Sequence, residues 1–232
     1  MLTIENTEVF GWEAAIRGAR NPMNSWDKSD SFWKVDDTQD RVELYAPNCA
    51  MVIGENDLKL MKNLAKAGSD HAKYLRMINV TMDVTAPLYW WKEFDTYKVG
   101  TVANSCSTMH KIHSKEITKD DFSFDKRDED VARYCELYVD EYGEYFSPEE
   151  ILVAVCENLR RKYLETNDKR YWRYLIQMLP SSYNQKRTIQ LNYEVLRHMY
   201  FARRNHKLDC WHTLCDWIKT LPYAKELIIG EE

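Results

Sequence analysis

Between Leu179-Pro180 and Arg203 the chain carries Asn192-Tyr193-Glu194-Val195-Leu196-Arg197-His198, and the spacing of this segment limits what it can become. On an α-helix Leu191, Val195, Leu196 and Met199 form an apolar stripe, while Asn192, Glu194, His198 and Arg203 set hydrogen-bonding groups along its length. A helix that only fills a core has no use for so many polar groups, so this one is expected to serve a site as well. Taken singly, Asn192 and His198 also fit polar residues at a core edge. Arg203 and Arg204 fit cations favoured by the dipole at a helix end.

The rest of the chain alternates helix and strand signals without an internal repeat. Trp12 to Arg20 is helix-prone and stops at Asn21-Pro22, because the residue before proline is pushed out of the α region. A second helix is expected from Leu58 to about Ala67, capped by Asn56 or Asp57 and ended by Gly68. Tyr74 to Val84 alternates and reads as a strand with one apolar face. Ala86-Pro87 opens an aromatic element reaching Tyr97, whose Trp90, Trp91, Phe94 and Tyr97 fit core and subunit contact better than a base-stacking platform. Lys98 to Phe124 reads as a long polar loop. Ser147-Pro148-Glu149-Glu150 combines a serine cap, a first-turn proline and a glutamate three residues on, which predicts a helix to about Glu165. Further helices are expected from Lys169 to before Leu179-Pro180, through Asn192 to Arg203, and from Leu208 to Lys219.

Composition removes several classes of function. A chain of 232 residues, 44% of them apolar and 30% charged, can bury a substantial core. No apolar run approaches the roughly 20 residues of a membrane span, and Met1 to Phe10 lacks the regions of a signal peptide, so a cytoplasmic protein with reduced cysteines is expected. The six cysteines include no C-x-x-C pair, and Cys210, His212 and Cys215 lack zinc-site spacing, so no metal is expected. A net charge of -5 argues against nucleic acid as a partner, although a small phosphorylated ligand needs only two or three cations. Arg160, Arg161 and Lys162 read as a solvated helix face, and Cys106 lacks the neighbouring base that a nucleophile needs.

Taken in order, Asp70-His71, Ala86-Pro87, Lys92-Glu93, Thr96-Tyr97-Lys98, Asn104-Ser105-Cys106-Ser107, and Leu179-Pro180 followed by Asn192, Leu196, His198 and Arg203 resemble the pattern of the flavin-dependent thymidylate synthases. The resemblance runs from Ala14 to Trp217, and its last group keeps its internal spacing. It implies an α/β (α+β) fold in which an antiparallel sheet is flanked by long helices, one domain over 1–232, and a homotetramer with shared sites. It implies FAD as cofactor, held by His71, Tyr97, Lys98, Asn104, Asn192 and His198. A pyrimidine nucleotide, dUMP, would face Lys92, Glu93, Ser105, Cys106, Ser107, Thr108 and Arg203, with Arg203 the catalytic candidate. Methylenetetrahydrofolate and NADPH would be co-substrates for methylation at C5 of the uracil. The first element, Arg17 to Pro22 with Asn24 and Ser25, resembles an A-R-x-S element near the nucleotide. The chain departs from the family pattern at several positions. Thr96-Tyr97 stand where the turn has an arginine and a histidine, leaving only Lys98 basic, and the loop is about one residue longer. Met109 stands where an arginine follows the serine of the loop, Glu194 stands where an arginine follows the helix asparagine, and the arginine before the Leu-Pro pair has only Arg173 nearby.

Three readings follow: that enzyme, an enzyme of the same fold acting on another pyrimidine nucleotide, and a non-catalytic member binding a nucleotide or a protein.

Overall fold

The structure, a computed structural model, describes residues 2–35, 49–125, 131, 135, 138–139 and 145–230. Helices and an antiparallel sheet make up a mixed fold. The strands are β1 (Thr3–Phe10), β2 (Phe32–Val35), β3 (Cys49–Val52), β4 (Asn79–Pro87), β5 (Val102–Ser105), β6 (Tyr138–Val139), β7 (Tyr145–Phe146) and β8 (Asn184–Asn192). One sheet has the order β1-β4-β8-β5, and β2-β3 and β6-β7 form separate antiparallel pairs. Among the described residues no helix is long and apolar enough to cross a membrane. The chain divides into two compact units: 1–4, 83–96 and 103–188 form the first, and 5–82, 97–102 and 189–232 the second.

In the first unit the helices Pro148–Thr166 and Lys169–Met178 pack on each other. The longer one starts as its sequence predicts: Ser147 accepts from the Glu150 amide, and Glu150 accepts in return from the Ser147 amide at 2.9 Å. Asp168 caps the second helix through the Arg170 amide at 2.9 Å. Ile112, Ile117, Phe122, Cys156, Leu175 and Tyr183 form the core beneath. The aromatic helix is shorter than expected, Leu88–Phe94, and Trp90, Trp91 and Phe94 are fully buried, as the core reading requires. The stretch read as a long loop contains β5 and a short helix, Thr108–Lys111. Arg160 is not a solvated cation. It and Arg161 grip Glu157, which is 7% exposed and also accepts from the Ile117 amide at 3.0 Å.

In the second unit the helix Trp12–Arg20 packs against the 3₁₀ segment Ala72–Met77, as does the helix Tyr193–Arg203. This segment corrects the expected start of a strand at Tyr74. Tyr74 and Leu75 are buried side by side, and the Tyr74 hydroxyl donates to the Met61 carbonyl at 2.7 Å, a pattern that period-two alternation cannot satisfy. Strand β4 follows, with Val80, Met82, Val84 and Ala86 buried and alternating with half-exposed residues, so the predicted apolar face is present. The helix Glu55–Lys66 begins earlier than expected, and its cap is neither Asn56 nor Asp57. Asp30, far away in sequence, accepts from both their amides at 2.9 and 3.0 Å. Asp57 turns inward to Arg20 at 2.5 Å, Ser29 at 2.7 Å and Ser31 at 2.6 Å, donors that hold its carboxyl below the usual range although burial acts to raise it. Arg20 is therefore spent inside the protein. The helix Asp209–Thr220 matches its expected span to within a residue.

Candidate functional site

Asn192 is not the helical residue its spacing suggested. It ends β8, where Ile189 and Leu191 are buried and Thr188 and Gln190 exposed, and it caps the helix Tyr193–Arg203 by accepting from the Val195 amide at 3.1 Å. The loop 97–102 lies against that cap. A Cβ on Gly100, whose φ is +74°, would stand 2.9 Å from Asn192 Nδ2 and 3.3 Å from Val195 Cγ2. Only glycine lets the backbone pass so close.

That approach places Tyr97 beside the helix. Its ring meets the exposed His198 edge to face, with centroids 5.8 Å apart, and its hydroxyl accepts from Arg203 Nε at 2.9 Å. The guanidinium carbon of Arg203 lies 4.6 Å from the centroid of the buried Trp211 ring. Cation–π attraction and the phenol thus fix the orientation of Arg203. Trp211 was not singled out by sequence, since it read as one more apolar position of an amphipathic helix. His71 and Lys98 are exposed. The Arg17 to Pro22 element contributes a structural ion pair, Arg20 with Asp57.

Glu194 carries no bare charge. Arg76, from the 3₁₀ segment, grips it with Nε and Nη2, the second contact at 3.1 Å, and this pairing raises the guanidinium pKa further. A guanidinium is therefore present at the first turn of the helix, delivered from position 76. The misread strand concealed this, because Arg76 lay on its supposed apolar face.

The residues of the loop 104–108 lie in the first unit, as do Lys92 and Glu93. Lys92 is exposed on the aromatic helix and Glu93 is half-buried. Asn104 and Ser105 end β5. The Cys106 amide donates to the Lys186 carbonyl at 2.9 Å. Ser107 Oγ accepts from the His110 amide at 3.2 Å, and Thr108 Oγ1 accepts from Gln185 Nε2 at 3.2 Å. Gln185 is oriented in turn by Arg187, whose Nε donates to Gln185 Oε1 at 3.0 Å and whose guanidinium is 2.7 Å from Asp95 and 4.2 Å from the Trp91 centroid. Gln185, Lys186 and Arg187 escaped the sequence reading, which assigned no element between Leu179-Pro180 and the helical stretch and put only Leu191 and Asn192 of β8 on the helix. Cys210 and Cys215 are buried on their helix, and His212 pairs with Asp209 at 3.5 Å.

No family model and no curated protein sequence matches this chain. Solved structures do match it. Flavin-dependent thymidylate synthase ThyX from Helicobacter pylori, complexed with FAD and dUMP, superposes with a TM-score of 0.63 at 15% identity over 99% of each chain. A second structure of that protein with FAD and dUMP gives 0.63 at 16% identity over 98% of this chain and 97% of the other. The UMP/dUMP methylase PolB from Streptomyces cacaoi, bound with 5-Br dUMP, gives 0.57 at 14% identity over 100% of this chain and 96% of the other. The chain has the flavin-dependent thymidylate synthase fold, as the order of its motifs implied.

Proposed function

We propose that this chain, acting as one domain over 1–232, is a flavin-dependent enzyme that modifies the pyrimidine ring of a uracil nucleotide. The observation that carries the reading is the fold match over nearly the whole of both chains to a synthase complexed with FAD and dUMP. The finer form of the reading is methylation of dUMP at C5, with methylenetetrahydrofolate and NADPH as co-substrates, in a cytoplasmic homotetramer.

The second unit offers groups that suit such a cofactor. Tyr97 and His198 present aromatic edges, and Lys98 and Arg203 are cationic. Glu194, which would repel a pyrophosphate as a bare carboxylate, is neutralised by Arg76. Flavin, when bound, supplies the hydride chemistry, and the protein binds and orients. In this reading His71, Tyr97, Lys98, Asn104, Asn192 and His198 serve the flavin, and Lys92, Glu93 and the loop 105–108 the nucleotide. Arg203, held by Tyr97 and Trp211, presents a planar fork to a uracil carbonyl or phosphate oxygen.

A second reading, a different pyrimidine nucleotide as substrate, is favoured by Met109, whose side chain is exposed and whose carbonyl holds the Trp172 indole at 2.9 Å. The loop carries no guanidinium at that position.

The test is the absorbance spectrum of the purified protein with added FAD. Flavin bands that dUMP perturbs, and that Arg203→Ala no longer lets it perturb, are the expected result. Bands that answer only to another pyrimidine nucleotide select the second reading. A protein that takes up no FAD overturns both and leaves the non-catalytic one.

A further inference from the structure

Arg187 stands on β8 between two segments of the first unit that are far apart in sequence. One is the helix Leu88–Phe94, which carries Lys92 and Glu93, and the other is the stretch after β5, Cys106 to Thr108. The helix grips the guanidinium through two residues one turn apart. Trp91, fully buried, has its ring centroid 4.2 Å from the guanidinium carbon, and Asp95, just past the helix end, accepts from Nη1 at 2.7 Å. The Trp91 indole N–H also donates to the Gln185 carbonyl at 2.9 Å, so the helix fixes the strand backbone as well as the arginine.

With its plane set in this way, the guanidinium dictates the orientation of Gln185. Arginine has donors only, so the Gln185 amide presents Oε1 to Arg187 Nε, at 3.0 Å, and turns Nε2 to the other side. On that side Nε2 donates to the Thr108 hydroxyl oxygen at 3.2 Å and to the Cys106 carbonyl at 3.3 Å. The Cys106 amide donates to the Lys186 carbonyl at 2.9 Å, which docks the same stretch on the strand backbone. Without the donor at position 187 the amide is free to turn over, and that would set its oxygen against the Cys106 carbonyl, acceptor against acceptor.

We propose that Arg187 is a positioning residue that acts through Gln185 to key the stretch 106–108 to the helix carrying Lys92 and Glu93. The inference rests on the nucleotide reading above, in which both segments face one ligand. Hydrogen bonds weaken steeply with distance and angle, so a shift of one segment against the other costs affinity although no ligand-facing group is lost.

The test is calorimetric titration of the full chain with dUMP in the presence of FAD, with FAD uptake and the melting temperature read separately. Arg187→Leu and Gln185→Leu are each expected to weaken dUMP binding roughly tenfold, and the double variant no more than either one, because the arginine acts through the amide. Arg187→Lys keeps a charge opposite Asp95 but lacks the fork that reaches Asp95 and Gln185 together. It is expected to bind dUMP as weakly as Arg187→Leu while melting closer to wild type. FAD uptake is expected to be unchanged in all four variants. Losses that add in the double variant and follow the melting temperature from variant to variant overturn the proposal, as does an Arg187→Leu protein with wild-type affinity for dUMP. A wild type that takes up FAD but binds no dUMP overturns the nucleotide reading and the proposal with it.

Discussion

Arg203 and Tyr97, 106 residues apart in sequence, are joined by a 2.9 Å hydrogen bond from the guanidinium Nε to the phenolic oxygen. The Trp211 ring on the other contact fixes the plane of the fork. Removing the phenol frees the arginine without removing its charge. Tyr97→Phe is therefore expected to raise the nucleotide dissociation constant roughly three- to tenfold, the worth of about one hydrogen bond. The melting temperature should stay within about 2 °C of wild type. An unchanged dissociation constant would show that the pair is structural.

Glu157 sets a pH dependence of stability. Hydrogen bonds from Arg160 are the largest cause holding its carboxyl down at about 2, helped by the Ile117 amide and Arg161 against the opposing effect of burial. Its folded pKa lies below the ordinary value of 4.5, so the unfolded chain binds the proton more readily between the two. The stabilisation is complete above about pH 4.5 and is lost as pH falls towards 2. It is worth about 3 kcal/mol at neutral pH. In urea titrations Glu157→Gln should lose much of this at pH 7 and converge on wild type only as the pH approaches about 2. A pH-independent difference would refute the linkage.

Two glycines with positive φ should respond differently to alanine. At Gly11, φ +94°, a Cβ would stand 2.0 Å from the Met77 carbonyl oxygen, whereas at Gly68, φ +111°, nothing lies within 4 Å. Gly68→Ala bears only backbone strain, roughly 1–2 kcal/mol. Gly11→Ala adds a collision with the backbone and should cost about 3–5 kcal/mol, lowering the melting temperature by roughly 10 °C. Equal losses at the two sites would contradict the packing at Met77.

The Arg76–Glu194 pair is bidentate, yet the Arg76 side chain is 55% exposed. A double-mutant cycle with alanine should give a coupling below about 1 kcal/mol that shrinks in salt. Its greater effect is expected on FAD. Arg76→Ala uncovers the Glu194 carboxylate and should weaken flavin uptake more than Glu194→Ala does, as read from the absorbance titration.

What was legible in the sequence is what neighbours in sequence decide. The Ser147 box and the Asp209–Thr220 helix are set by contacts within one or two turns. The first helix ends at Arg20 as expected, but Asn21 stays in the α region and leads into a 3₁₀ turn, Asn21–Met23, instead of being pushed out by Pro22. The β4 face follows from alternation that needs no partner to be seen. The order of Asp70-His71, Ala86-Pro87, Leu179-Pro180, Asn192, His198 and Arg203 was enough to indicate the fold. Local pattern failed where an apolar residue has two possible periods. Leu191, read on the helical stripe, serves a strand as well as a helix, and the polar run before it carries no local strand signal, so β8 and its Gln185, Lys186 and Arg187 went unread.

The sequence by itself thus determined the helix signals, the motif order and the presence of Arg203. Only the tertiary structure decided that Tyr97 holds Arg203, that Asp30 caps the helix beginning at Glu55, that Arg76 neutralises Glu194, and that Arg187 links Asp95 to Gln185. Each of these joins groups that local backbone preference does not couple. Charge, desolvation and hydrogen-bond geometry act through space, and which residues they couple is settled only when the chain has packed.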